Sequence, residues 1–201
     1  MIAIADYGMG NRRSVEKALA HVGAESKITT DVSDASAIIL PGVGAFPEAM
    51  RHLERSGLGE QLKDRAQAGV PLLGICLGMQ LLFESSTEHE GAEGLGILPG
   101  TVTRLQSPRL PHIGWNLVTF ERASALTEGL GEAAAFYHVH SFACRPADPA
   151  DVVGTSEYGE RFVSIVERDN VMASQFHPEK SSRDGLRMLR NFAQLAAVAV
   201  A

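Results

Sequence analysis

Cysteine is scarce in this chain. Two occur among 201 residues, Cys76 and Cys144, too few for a disulfide scaffold and suited to a reducing compartment where thiols stay free. Long apolar runs are missing as well: nowhere do ~18 apolar residues follow one another, as a membrane-spanning helix requires. Met1 to Asp6 reaches a carboxylate too soon for a signal peptide. A cytoplasmic protein is expected. Positive charge is not in excess, with 18 Lys and Arg against 24 Asp and Glu and a net charge of −6. No basic stripe or block of like charge stands out, which argues against nucleic acid or an anionic membrane as partner. Repeats, linkers and low-complexity segments are absent too, so residues 1–201 are read as one domain with a single sizeable core.

What is present alternates. "MIAIAD" reads as a strand, "NRRSVEKALAHV" as a helix, "ESKITT" as a strand, and Ala37 to Leu40 as a buried strand ending at Pro41-Gly42. Phe46 to Ala68 reads as one or two helices broken near Gly57 and Gly59, "PLLGI" as a strand, and Leu77 to Glu84 as a helix. Strand and helix taking turns implies a doubly wound α/β fold, with a mostly parallel sheet and helices on both faces. From Gly94 the character changes to short strands: Thr101 to Leu105, Ile113 to Phe120, Phe136 to Ala143, and a hairpin turning at Arg168-Asp169-Asn170. These are expected to add antiparallel strands. A helix over Ser182 to Ala197 closes the chain, with fraying expected over the terminal "AAVAVA".

The chemistry concentrates at "PLLGICLGMQLLF". A lone cysteine is ordinarily a small buried hydrophobe. Here Cys76 stands between Gly74 and Gly78 at a strand-to-helix junction, the arrangement G-x-nucleophile-x-G that raises a reactive side chain beyond the carboxyl end of a strand. Backbone N–H groups at the start of the following helix would favour the thiolate. Such a nucleophile needs a base and a group to orient it. "QFHPEKS" offers His177 and, two positions on, Glu179, whose carboxylate could share a side with the imidazole in extended chain; taken alone, the same stretch is an ordinary exposed turn. His21, His52 and His89 read as solvated. His138 and His140 share a strand face and with His112 raise the question of zinc, but no further ligand spacing supports it. Neither metal nor cofactor is expected.

Together "GICLGMQ" and "FHPE" resemble the class I, triad-type glutamine amidotransferases. "DYGMGN", "PGVGAF", "PHIGWN" and "QFHPEKS" are similar, from end to end, to the glutaminases of that family that serve imidazole glycerol phosphate formation in histidine biosynthesis. The resemblance implies hydrolysis of glutamine through a thioester on Cys76, with His177 and Glu179 completing the triad. It also implies that Gln80, Glu88, Ser141 and Phe142 hold substrate, beside Gly42 and Gly44 of the glycine-rich turn. Asn11, Trp115, Tyr137 and Lys180 would face a (β/α)₈ cyclase subunit in a heterodimer that receives the ammonia. Taken singly, Gln80 is a helix-surface amide, Trp115 a core anchor and Lys180 a solvated lysine. Arg12, His138 and Phe142 depart from the family pattern.

An oxyanion forming on the amide carbonyl requires donors already in place, for which the N–H of Leu77 and, by the resemblance, of Val43 are candidates. A peptide at Gly42-Val43 turned away would silence the site until a loaded partner docks. Other readings remain open: a catalytically silent module that keeps the fold for binding or regulation, a thiol hydrolase of another substrate, or a glutaminase serving a different synthase.

Overall fold

The computed structural model describes residues 1–198. Its strands are β1 (Ile2–Ala5), β2 (Ser26–Thr29), β3 (Ala37–Gly42), β4 (Leu72–Cys76), β5 (Phe83–Ser86), β6 (Ala92–Glu93), β7 (Leu98–Arg104), β8 (His112–Phe120), β9 (Ala133–His140), β10 (Phe142–Pro146), β11 (Val152–Tyr158), β12 (Glu160–Arg168) and β13 (Val171–Ser174). The helices are α1 (Arg12–His21), α2 (Phe46–Ser56), α3 (Leu58–Gln67), α4 (Leu77–Leu81) and α5 (Ser182–Val198). Nine strands form one sheet in the order β2-β1-β3-β4-β13-β12-β11-β8-β9, and four form a second, β10-β7-β5-β6. In the large sheet the pairings from β2 to β13 are parallel and those from β13 to β9 antiparallel.

Inside the edge strand β2, the parallel half is built from apolar runs buried throughout, IAIA, AIILPG, LLGIC and VMAS, as strands covered on both faces require. Alternate side chains separate into two cores. Ala3, Ala5, Ile38 and Leu40 pack with Phe46, Leu53, Leu58 and Leu62 of α2 and α3. Ile2, Ile4, Ile39, Leu73 and Ile75 pack with Val15 and Leu19 of α1 and with Met188, Leu189 and Phe192 of α5. The helices therefore lie on both faces, as the alternation of the sequence implied.

Several boundaries differ from the sequence reading. Helix α4 stops at Leu81, and Phe83–Ser86 pairs with β7 as a strand; the apolar run Leu81 to Phe83 carries no period that separates the two. The Phe136 to Ala143 segment is two strands in different sheets, changing over at Ser141. The β8–β9 ladder ends at His112↔His140, because Pro111 has no N–H to extend it, and Phe142 pairs instead with Arg104. Gly57, in the left-handed conformation at φ 69°, ends α2, whereas Gly59 lies inside α3. Helix α5 continues to Val198 where fraying from Ala196 was expected, and the last three residues lie outside the described ones.

The carboxyl ends of β3, β4 and β13 are neighbours, with Gly42 paired to Cys76 and Ser174 to Ile75. Gly78 lets α4 settle against β3: a Cβ there would sit 1.8 Å from the Leu40 carbonyl oxygen. Gly78→Ala should lower the unfolding free energy by at least about 2 kcal/mol through overpacking. Urea denaturation checks this, and an unchanged midpoint would show that helix and strand are not so closely apposed.

Candidate active site

Cys76 adopts φ 55° and ψ −111°, a strained conformation for a residue with a Cβ. It is held there by packing on either side. A Cβ on Gly74 would come within 2.9 Å of the Gly78 carbonyl and Met79 Cα, and one on Gly78 would overlap Leu40. Neither glycine has a positive φ, so both serve close approach rather than an unusual backbone of their own. The following helix has five residues, shorter than the sequence suggested, so its dipole is small and what the turn offers is the unpaired N–H groups of its first residues.

The glycine-rich turn after β3 lies directly over this helix start. A Cβ on Gly42 would be 2.7 Å from the Gly78 nitrogen, 2.8 Å from Leu77 Cβ and 2.8 Å from the Tyr7 hydroxyl. That hydroxyl, fully within the protein, donates to the Pro41 carbonyl at 2.9 Å, and burial together with the nearby Cys76 pushes its pKa far above the usual phenol value. Val43 and Leu77 thereby line the same pocket as Cys76.

His177 approaches from the end of β13. Its N–H donates to the Tyr137 carbonyl at 3.0 Å, and its carbonyl accepts from the Ser181 hydroxyl at 2.6 Å. Ser181 in turn accepts from the Tyr137 N–H at 3.0 Å. The ring nitrogen Nδ1 pairs with Glu179 Oε1 at 2.8 Å, both side chains being 1% exposed. This contact is made across a 3-10 turn at Pro178–Lys180, not along the extended chain that the sequence reading assumed. Asn11 Nδ2 donates to the same carboxylate oxygen at 3.2 Å. Nε2 is buried with no hydrogen-bond partner in the protein, and Cys76 lines the same pocket. Burial disfavours charge on this ring, yet the hydrogen bonds and negative charges of Cys76 and Glu179 outweigh it and push His177 up to about 10.

Cys76 and His177 share a pocket of about 320 Å³ with Val43, Gly44, Leu77, Gln80, Glu88, Ser141 and Phe142. Of the residues singled out in the sequence for chemistry or substrate, Gly42 and Glu179 stand behind the wall rather than in it. Gln80 is buried, not a surface amide. Its Nε2 donates to the Phe142 carbonyl and to Gln175 Oε1, both at 3.1 Å. Glu88 reaches the Phe46 N–H at 2.7 Å with one oxygen. Gln80 Oε1 and the second Glu88 oxygen take no hydrogen bond within the protein and add two acceptors to the pocket lining, beside the Ser141 hydroxyl and the backbone of Val43, Gly44 and Leu77.

Pro111, Val139 and His140 also line the pocket, and sequence reasoning missed them, along with Gln175 and Ser181. The alternation in "PHIGWN" was the available signal: His112 faces inward, whereas Ile113, Trp115 and Leu117 are 60%, 56% and 55% exposed. Trp115 is therefore no core anchor. It meets Tyr137 edge to face at 6.4 Å, Lys180 is exposed, and Asn11 is engaged with Glu179. Of the departures from the family pattern, Arg12 forms an ion pair with Asp6, and His138 is fully buried between Phe162 and Phe176, its pKa lowered to about 2 by burial and the other histidines.

Residues 3–195 match the family described as Glutamine amidotransferase class-I. The chain is 49% identical over 198 residues to "Imidazole glycerol phosphate synthase subunit HisH" of Moorella thermoacetica, covering 96% of this chain and 94% of that protein. It is 48% identical over 198 residues to the protein of the same name from Aquifex aeolicus, covering 96% of each. Two solved structures share the fold: one described as "Crystal structure of glutamine amidotransferase" (TM-score 0.75, 24% identity, 98% of both chains), and "Structure of PurLQS from Thermotoga maritima" (TM-score 0.76, 21% identity, 96% of this chain and 97% of that one). Matched along nearly its whole length, this chain belongs to the class-I glutamine amidotransferase family.

Proposed function

We propose that residues 1–201 form one glutaminase domain, the ammonia-supplying subunit of a cytoplasmic imidazole glycerol phosphate synthase. The observation that carries this reading is a cysteine lifted on a strained turn, sharing with a buried histidine a pocket whose lining includes the acceptor side chains of Gln80 and Glu88. Acceptors on that wall suit the ammonium group of an α-amino acid. The names of the relatives at 48–49% identity point to the same synthase.

The reaction follows from the geometry. The Cys76 sulfur attacks the side-chain amide carbonyl of glutamine, while His177 holds the proton that the sulfur gives up. The tetrahedral oxyanion is met by the N–H groups of Leu77 and Val43. Collapse breaks the C–N bond, His177 passes its proton to the departing nitrogen, and ammonia leaves. A water molecule, deprotonated by His177, then attacks the glutamyl thioester, the C–S bond breaks, and glutamate leaves with the sulfur freed and the proton held by His177. Glu179 keeps Nδ1 protonated, so that Nε2 faces the reacting groups throughout.

Residues 1–201 carry no G-x-x-x-x-G-K-[ST] loop. The ammonia passes to a cyclase subunit with a (β/α)₈ barrel, bound one to one. The outward row Ile113, Trp115 and Leu117, with Tyr137 and Lys180 nearby, is the surface offered to it; patches of this kind mark protein contacts. The glycine-rich turn supplies the switch: with Val43 N–H turned away, loss of one oxyanion donor costs about 10²–10³ in rate.

Labelling, turnover and partner binding test this. A glutamine-like electrophile should label wild type once, at Cys76, and not label Cys76→Ser. That variant should lose at least about 10³-fold in glutaminase kcat, and Glu179→Gln about 10²–10⁴-fold. A silent binding module would show neither labelling nor turnover. Glutaminase turnover of the isolated chain should also rise by about 10² or more on adding the substrate-loaded cyclase, and Trp115→Ala should weaken that complex tenfold or more. Full activity without the partner would end the switch.

A further inference from the structure

Beside the pocket, away from the triad, His112 and His140 are buried in contact, with Nδ1 of His112 3.0 Å from Nε2 of His140. Their tautomers follow from their neighbours. His140 Nδ1 lies 2.8 Å from the Phe142 carbonyl oxygen, which can only accept, so Nδ1 carries the hydrogen and Nε2 is left as an acceptor. His112 Nδ1 must therefore donate to it. The remaining nitrogen, His112 Nε2, accepts from Asn116 Nδ2 at 3.3 Å, and Asn116 also donates to the Glu157 carbonyl at 2.9 Å. Every ring nitrogen is used, and a second proton on either ring would set donor against donor. Burial lowers both pKa values, that of His140 to about 4, so both rings are neutral near pH 7.

The Phe142 carbonyl at the end of this chain also accepts from Gln80 Nε2 at 3.1 Å, whose other hydrogen goes to Gln175 Oε1 at 3.1 Å. Gln175 is fully buried and directs its Nε2 toward the Cys76 sulfur at 4.0 Å. A side-chain amide is symmetric in shape and turns over readily unless its partners forbid it. Turned over, Gln80 would present N–H groups to the cavity and repel a cation.

We infer that His140 and, through it, His112 are positioning residues for the substrate pocket, fixing the Phe142 carbonyl so that Gln80 presents its oxygen to the substrate's α-ammonium group. This rests on glutamine being the substrate. Aspects of the fold support it independently: Phe142 opens the strand that leaves the large sheet at Ser141, so its carbonyl has no β9 neighbour to hold it, and His140 supplies that restraint.

The test compares glutamine with glutaramate, the same amide lacking the α-amino group, using the full chain assembled with its partner subunit. In His140→Phe, which keeps a ring of similar shape, the ratio of kcat/KM for glutamine over glutaramate should fall about tenfold, mainly through a higher KM for glutamine. His140→Asn, whose Nδ2 retains the donor to Phe142, should restore most of that ratio. A merely structural role would depress both substrates alike, and a ratio within twofold of wild type in His140→Phe overturns the inference. Should that variant not fold, His112→Phe reads the same ratio, with a fall of about threefold expected and no change contradicting it. Wild type that hydrolyses neither amide would instead refute the glutaminase reading.

Discussion

The structure depends on a buried charge relation: an imidazole at His177 that keeps its proton because a sulfur lies on one side and a carboxylate on the other. Enclosing an ion pair is unfavourable unless each partner is well bonded, and the surrounding chain meets that condition on one side: His177 Nδ1 and Glu179 Oε1 are paired, while His177 Nε2 and Glu179 Oε2 have no hydrogen-bond partner. Asn11 adds a second donor to Glu179, Tyr137 and Ser181 clamp the His177 backbone, and Gly74 and Gly78 allow Cys76 to be raised on a conformation that few non-glycine residues adopt. Removing any of these supports acts on the reacting atoms through position rather than through contact with substrate.

The two halves of the large sheet divide the work. The parallel half brings the glycine-rich turn, the cysteine and the approach to the histidine to adjacent strand ends, where α/β sheets gather ligands. The antiparallel half supplies the opposite wall and the outward apolar row of β8. Strand β8 faces both ways: His112 turns inward onto His140, which lines the pocket, and is met by Asn116, while Ile113, Trp115 and Leu117 face solvent. One strand thus connects the proposed docking surface with the proposed substrate wall.

Much of this was legible in the sequence, for identifiable reasons. An apolar run ending at Pro41-Gly42 located β3 and one opening at Pro71 located β4, and two glycines around Cys76 marked the elbow, because close packing tolerates nothing larger there. His177 and Glu179 were found as a pair although the turn that joins them was not, since proline restricts the chain without specifying a 3-10 turn. The second sheet was not legible. "FYHVHSFACR" keeps a strand character through Ser141, and what divides it is the end of a ladder set by Pro111, about thirty positions away in the chain. His112 and His140 were weighed together only as metal ligands, and Gln175 was passed over, for a similar reason: their hydrogen bonds to one another and to Phe142 and Gln80 come from the tertiary fold, not from any local pattern.

The central claim is that His177 holds a proton at neutral pH because it is enclosed between Cys76 and Glu179. The titration belongs to the coupled pair, so it is best read where the proton sits, by nitrogen-15 NMR of the histidine rings between pH 6 and 10. The account predicts an imidazolium signal from His177 that persists past pH 8 and fades toward about pH 10, and that in Cys76→Ala is neutral by pH 8. An imidazole in the wild type already neutral at pH 7, or one unaffected by loss of the sulfur, would contradict it.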